Sequence, residues 1–163
     1  MNLPIRRRRL GLWPAWVVAW AGLAGTAGAR AAAPPAERMP GDPPEHKVVY
    51  QLNRADPEDI EHILNSVGAL ITKYDDNVAV AVVAFGPGIH LLARQPRRPV
   101  PEALRQRAQS QARDYGVQFI ACGNTMKTLG WTAADMASFV KIEDVGAATL
   151  MNLQEQGWAY IAW

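Results

Sequence analysis

The sequence predicts an α/β fold built on a mainly parallel sheet of about four to five strands, with helices on both faces. Three observations carry this. Apolar runs of strand length alternate with segments of helical periodicity, in the order β-α-β-α-β-α-β, and such alternation builds parallel sheets through crossover connections. Val78 to Phe85 is apolar at every position, which suits a central strand covered on both sides. Asp56-Pro57-Glu58-Asp59 supplies an N-cap residue, a proline for the first helical position and two acids for the first turn, a strong helix start.

Lys47 to Leu52 reads as the first strand, and Asn53 to Asp56 as a turn. Ile60, Ile63, Leu64, Val67, Leu70 and Ile71 recur at helical spacing through Lys73. Asp75-Asp76-Asn77 turns the chain into the second strand, which Gly86-Pro87-Gly88 stops. Ile89 to Arg94 suits a short helix, Gln95 to Pro101 an irregular basic loop, and Glu102 to Tyr115 a helix with Leu104 and Ala108 inward. Gly116 to Cys122 is the third strand and Met126 to Gly130 a short helical piece. Thr132 with Asp135 resembles a capping box. Phe139, Val140 and Ile142 suit a loop or short strand, and Asp144 to Gln156 a helix with Val145, Leu150 and Leu153 on its apolar side. Gly157 is a natural residue beyond a helix end. Trp158 to Trp163 is the last strand, and Trp131, Trp158 and Trp163 are expected in the core or at a subunit interface.

The ends of the chain differ in character. Arg6 to Arg9, the apolar stretch Leu10 to Ala24 and the small-residue segment with Ala29-Arg30-Ala31 form a signal-peptide pattern over residues 1–31. A cleaved leader implies a periplasmic or otherwise exported protein. The export route fits the general secretory pathway better than the twin-arginine one, and an uncleaved anchor is the alternative. Residues 32–45 hold Pro34, Pro35, Pro40, Pro43 and Pro44 and read as a linker, which leaves residues 46–163 as the domain. Five of the 17 Lys and Arg residues lie in the leader, which has no acid, so 12 remain against 15 Asp and Glu, a formal charge of −3. Nothing there supports nucleic-acid binding, and no membrane association is expected once the leader is gone.

Chemistry is expected beyond the carboxyl ends of the strands. Asn53, Gly86-Pro87-Gly88 and Cys122 all fall at such ends. Cys122 is the single cysteine, so no intramolecular disulfide is possible. It reads as a free reactive thiol, as an intermolecular partner, or as a buried inert residue. At a strand-to-helix junction, free N–H groups and the helix dipole would favour its thiolate. Gly123, Asn124 and Thr125 follow; the last two either cap the helix, aiming N–H groups at the sulfur, or touch substrate. Gly86 and Gly88 either let backbone amides approach an anion or simply turn the chain. His90 either polarises sulfur at Cys122 or packs. His46, His62 and His90 share no metal-ligand spacing, so neither metal nor cofactor is expected. Arg94, Arg97 and Arg98 form a solvated face, or attract thiosulfate or an acidic partner.

Val48-Val49-Tyr50-Gln51-Leu52, Val80 to Gly88, the Ala-Cys-Gly-Asn-Thr-Met core within Val117 to Met126, and Leu153-Gln154-Glu155-Gln156-Gly157-Trp158-Ala159-Tyr160-Ile161 together resemble the DsrE/DsrF-like family. The resemblance covers most of residues 46–163. It implies a flavodoxin-like domain that assembles into homo-trimers or homo-hexamers. It also implies a sulfur relay in which Cys122 carries sulfane sulfur as a persulfide, with sulfur donor and acceptor proteins or small sulfur species as partners. A non-catalytic oligomeric scaffold of the same fold and a thiol redox sensor are the alternatives.

Overall fold

Five strands lie side by side and parallel: β1 (His46–Leu52), β2 (Val78–Ala84), β3 (Gln118–Cys122), β4 (Lys141–Glu143) and β5 (Ala159–Ala162), in the order β4-β3-β2-β1-β5. The computed structural model describes residues 38, 39 and 41–163; the leader expected at 1–31, and the linker residues through 37 together with Pro40, lie outside the described residues. The architecture is a flavodoxin-like α/β sandwich in which the fifth strand flanks β1.

Strand alternation divides the core. Tyr50, Leu52, Val82, Ala84, Phe119 and Ala121 face one side, where they meet Ile60, Ile63, Leu64 and Val67 of α1 (Pro57–Tyr74) and Leu104 and Ala108 of α2 (Glu102–Tyr115). Met126 of α3 (Gly123–Leu129) joins the same cluster. Val49, Ala81, Val83 and Ile120 face the other side, under Leu150 of α4 (Gly146–Glu155), with Phe85, Leu153 and Trp158 at the margin. Successive strand residues point to opposite faces, so the uninterrupted apolar run of β2 is what a two-sided core requires. The chain steps outward from β1 to β4 and then returns across the sheet to β5. Right-handed crossovers in opposite directions place their helices on opposite faces, which puts α4 alone on its side.

Several boundaries differ from the sequence reading for local reasons. Gly116 has φ 69° and ends α2, so β3 starts only at Gln118. The expected helix at Asp144 starts two residues later. Glu143 is paired with Cys122 in the sheet, and the Asp144 carbonyl accepts the Asn124 amide at 2.9 Å, which holds the segment extended. Val145 is therefore outside α4 and 41% exposed, although the pattern places it on an apolar helical side. The segment around Phe139, Val140 and Ile142 supplies the edge strand β4. The Thr132–Asp135 capping box forms. Trp131 is buried and Trp158 half-buried, whereas Trp163 is largely exposed in the single chain.

Candidate functional site

Cys122 is the last residue of β3 and the N-cap residue of α3. It shares the sheet face of Ile120, so its side chain turns toward α4, on which Gly146 is the first residue. The Gly146 amide, one of the N–H groups a helix start leaves without an intrahelical partner, donates to Cys122 Sγ at 3.2 Å. A Cβ on Gly146 would stand 3.0 Å from Cys122 Cβ, 3.3 Å from Phe85 Cδ1 and 3.4 Å from Sγ. The contact exists because residue 146 has no side chain.

Burial pushes the thiol's pKa up. The amides of Gly146 and Thr125, the Thr125 hydroxyl and the Asn124 amide together outweigh that, and the thiol lies below its ordinary value. Two helix starts thus surround one sulfur, and hydrogen bonds to the charged form favour thiolate. Cys122 is nevertheless 6% exposed. It is a shielded sulfur in polar company, neither solvent-facing nor sunk in hydrocarbon.

The other expected residues are arranged differently from the simple reading. Asn124 and Thr125 do not cap α3 with their side chains; Cys122 holds the cap position and they form the first turn. The Asn124 amide donates to the Asp144 carbonyl at 2.9 Å, and among the described residues the N–H within hydrogen-bond geometry of the sulfur is that of Gly146. Thr125 Oγ1 accepts the Gly86 amide at 3.1 Å, tying the end of β2 to the thiol's neighbour. Gly88 N–H donates to the Phe85 carbonyl at 3.1 Å. Both loop amides are therefore used inside the chain, and the glycines are there for backbone reasons. Gly86 has φ +50°, and a Cβ on Gly88 would meet the Leu52 carbonyl oxygen at 2.3 Å. Gly123 is buried, and its Cα faces the Asp144 backbone, which a Cβ would approach to 3.2 Å. Asn53 is half-buried at the end of β1, its carbonyl beside Gly86.

His90 stands apart from the sulfur. It is 3% exposed on the 3₁₀ turn Gly86–Leu92, and its ring packs edge-on against Trp131 at 5.0 Å. It lines a cavity of about 350 Å³ with Gly86, Pro87, Arg98, Thr125, Thr128 and Leu129. A larger cavity of about 650 Å³ adjoins it through Pro87 and Arg98 and is lined also by Arg54, Asp56 and Pro101. Both open beyond the carboxyl ends of the strands, and Cys122 lines neither. The described residues hold no cluster of His, Cys, Asp and Glu that could bind a metal ion.

The profile of the DsrE/DsrF-like family matches residues 46–163. The chain belongs to the DsrE/DsrF-like family. Among curated proteins no sequence relative matches it. Solved structures of similar shape include MTH1491 of Methanobacterium thermoautotrophicum, 25% identical with a TM-score of 0.63, covering 73% of this chain and all of that one. The ychN protein of E. coli is 14% identical with a TM-score of 0.61, covering 72% of this chain and 99% of that one. BT1422 of Bacteroides thetaiotaomicron is 12% identical with a TM-score of 0.51, covering 72% of this chain and 94% of that one. DsrE/DsrF-like membership suggests a function related to sulfur relay.

The site also contains residues the sequence reading does not single out: Gly146, which donates to the sulfur, and Phe85, whose ring closes in on Gly146. The available signal was a glycine opening a helical pattern, which alone says nothing about a cysteine 24 residues earlier.

Proposed function

We propose that this DsrE/DsrF-like protein carries sulfane sulfur as a persulfide on Cys122. The observation that carries this reading is the Gly146 amide donated to Sγ at 3.2 Å, in a site where the thiol lies below its ordinary pKa. Loading is a thiol exchange. The Cys122 thiolate attacks the outer sulfur of a donor persulfide, R–S–SH. The donor S–S bond breaks, a new bond joins Sγ to the transferred sulfur, and R–S⁻ leaves. No net oxidation occurs. The Gly146 amide, with Thr125 beside the sulfur, then stabilises negative charge on the product.

The reading includes export through the leader, assembly into a homo-trimer or homo-hexamer, and sulfur donor and acceptor proteins or small sulfur species as partners. Ile142 and Val145, 37% and 41% exposed beside the thiol's turn, suit a surface that another chain covers. The 6% exposure of Cys122 favours a second reading, a scaffold that keeps the fold without the chemistry. Mass spectrometry of the native protein after polysulfide treatment separates them. The carrier gains the mass of one or more sulfur atoms, and Cys122→Ser gains none. A wild-type mass unchanged at neutral pH refutes the carrier reading.

A further inference from the structure

We propose that the cavity between the ends of β2 and β3, bounded by Gly86, His90, Arg98, Thr125 and Thr128, is a binding site for a small oxyanion. At about 350 Å³ it lies at the small end of ligand cavities, which run from about 300 to 1,000 Å³. Its position beyond the carboxyl ends of the strands is where open parallel sheets gather ligands.

The polar inventory points to charge of one sign. Arg98 is exposed and makes no hydrogen bond or ion pair among the described residues. Its neighbour Arg97 is already occupied, donating to the Leu129 carbonyl at 2.7 Å and lying 5.3 Å over the Trp131 ring. No carboxylate lines the cavity. Asp135, the acid that feels Arg97, is bound to the Thr132 amide and hydroxyl. Asp56 belongs to the adjoining cavity. The small cavity is therefore lined by one unpaired cation, Arg98, and by no carboxylate.

The second observation is independent of the arginines. His90 is 97% buried, lines the cavity, and its Nδ1 has no hydrogen-bond partner. An unpaired buried polar atom costs about 1–3 kcal/mol. A hydrocarbon side chain would fill the space against Trp131 without that cost. Burial, Arg98 and Arg97, in that order of effect, hold the imidazole below its ordinary pKa, so two cations already act on this ring. Thr125 Oγ1 accepts the Gly86 amide, and Thr128 donates its hydroxyl to the Asn124 carbonyl. Ligand recognition therefore falls to the Arg98 guanidinium, whose planar fork matches oxyanions, with the His90 ring forming a wall of the cavity.

The site does not depend on persulfide chemistry at Cys122, and the test keeps the two apart. The full chain is titrated at constant ionic strength with sodium sulfate, sodium thiosulfate or sodium chloride while imidazole resonances are followed by NMR. The His90 signals are assigned by their loss in His90→Gln. Saturable shifts of His90 are expected with sulfate, thiosulfate or both, and not with chloride. Thiosulfate binding more tightly would join the site to sulfur metabolism, and equal binding would make it a general oxyanion site; either supports the proposal. Arg98→Gln should weaken binding at least tenfold, and Cys122→Ser should leave it unchanged. Shifts that track chloride, or an Arg98→Gln protein that binds as the wild type does, overturn it.

Discussion

Replacing Gly146 by alanine tests whether one backbone amide sets the reactivity of Cys122. The added Cβ would lie 3.0 Å from Cys122 Cβ and 3.4 Å from Sγ, with Phe85 closing the third side at 3.3 Å. These contacts are too short to keep, so the start of α4 and the cysteine must separate and the 3.2 Å hydrogen bond must lengthen. A hydrogen bond to a charged group contributes about 1.5–3 kcal/mol. Sulfur is a weak acceptor, so the low end applies, roughly a tenfold fall in thiolate population. A more basic thiolate is a better nucleophile, which returns about threefold. Alkylation at neutral pH should therefore slow about threefold. The crowding methyl could slow the reagent as well, so the decisive readout is the midpoint of the pH–rate profile. With iodoacetamide and the native protein, the wild-type midpoint should lie below the ordinary thiol value of 9.0, and that of Gly146→Ala should move up toward it. Overpacking costs about 1–3 kcal/mol, and the loss of glycine's chain entropy returns about 0.4–1 kcal/mol. A melting temperature a few degrees lower is thus compatible with a folded variant. Coincident midpoints in two folded proteins would refute the reasoning.

Two further outcomes follow from the same geometry. Because the thiol's folded-state pKa lies below its unfolded value, its contribution to stability is missing at low pH, grows as pH rises through the folded value and is complete above 9.0. Urea unfolding of the wild type and Cys122→Ser should therefore diverge in favour of the wild type between neutral pH and that limit, and a constant difference would show that the amides do not favour the anion. Gly88→Ala should be strongly destabilising, by about 3 kcal/mol, since its Cβ would meet the Leu52 carbonyl oxygen at 2.3 Å and neither backbone can yield without breaking the β1–β2 pairing; an unchanged melting temperature would count against the described loop.

What could be read from the sequence was local. Pro57 with its flanking acids marked the start of α1, and the apolar run of β2 marked a two-sided core. The position of Cys122 at a strand end followed from Gly123 and the run before it. The family resemblance held over the whole of residues 46–163. What could not be read was pairing across sequence distance. Gly146 meets Cys122 only because β4 lies beside β3 and delivers the chain to the same end of the sheet. Gly86 and Gly88 were legible as turn residues, but the targets of their amides were not, since Thr125 and Phe85 acquire those roles only when β2 and β3 are in register. His90 and Cys122 both follow strand ends, yet neighbouring strand ends do not guarantee a shared face. Cys122 turns toward α4, whereas His90 packs on Trp131 over the cluster that α1 and α2 cover.

That division has a mechanical consequence. A chain that kept stepping in one direction would leave the last residue of β3 with the amides of its own short helix alone. The reversal after β4 brings the start of a second helix onto the other side of the same residue, so the sulfur at the start of α3 also receives the Gly146 N–H of α4. The connection that supplies the Gly146 amide also supplies the cover. Asp144 is pinned by the Asn124 amide, Val145 stands exposed, and Gly146 packs against Cys122 Cβ. Gly146 covers part of the 6%-exposed sulfur, so moving this turn would change a donor's access to Sγ. The hydrogen bond that favours the thiolate is thus part of its shield, and a reagent's access and the thiol's acidity should change together whenever the 144–146 turn is altered.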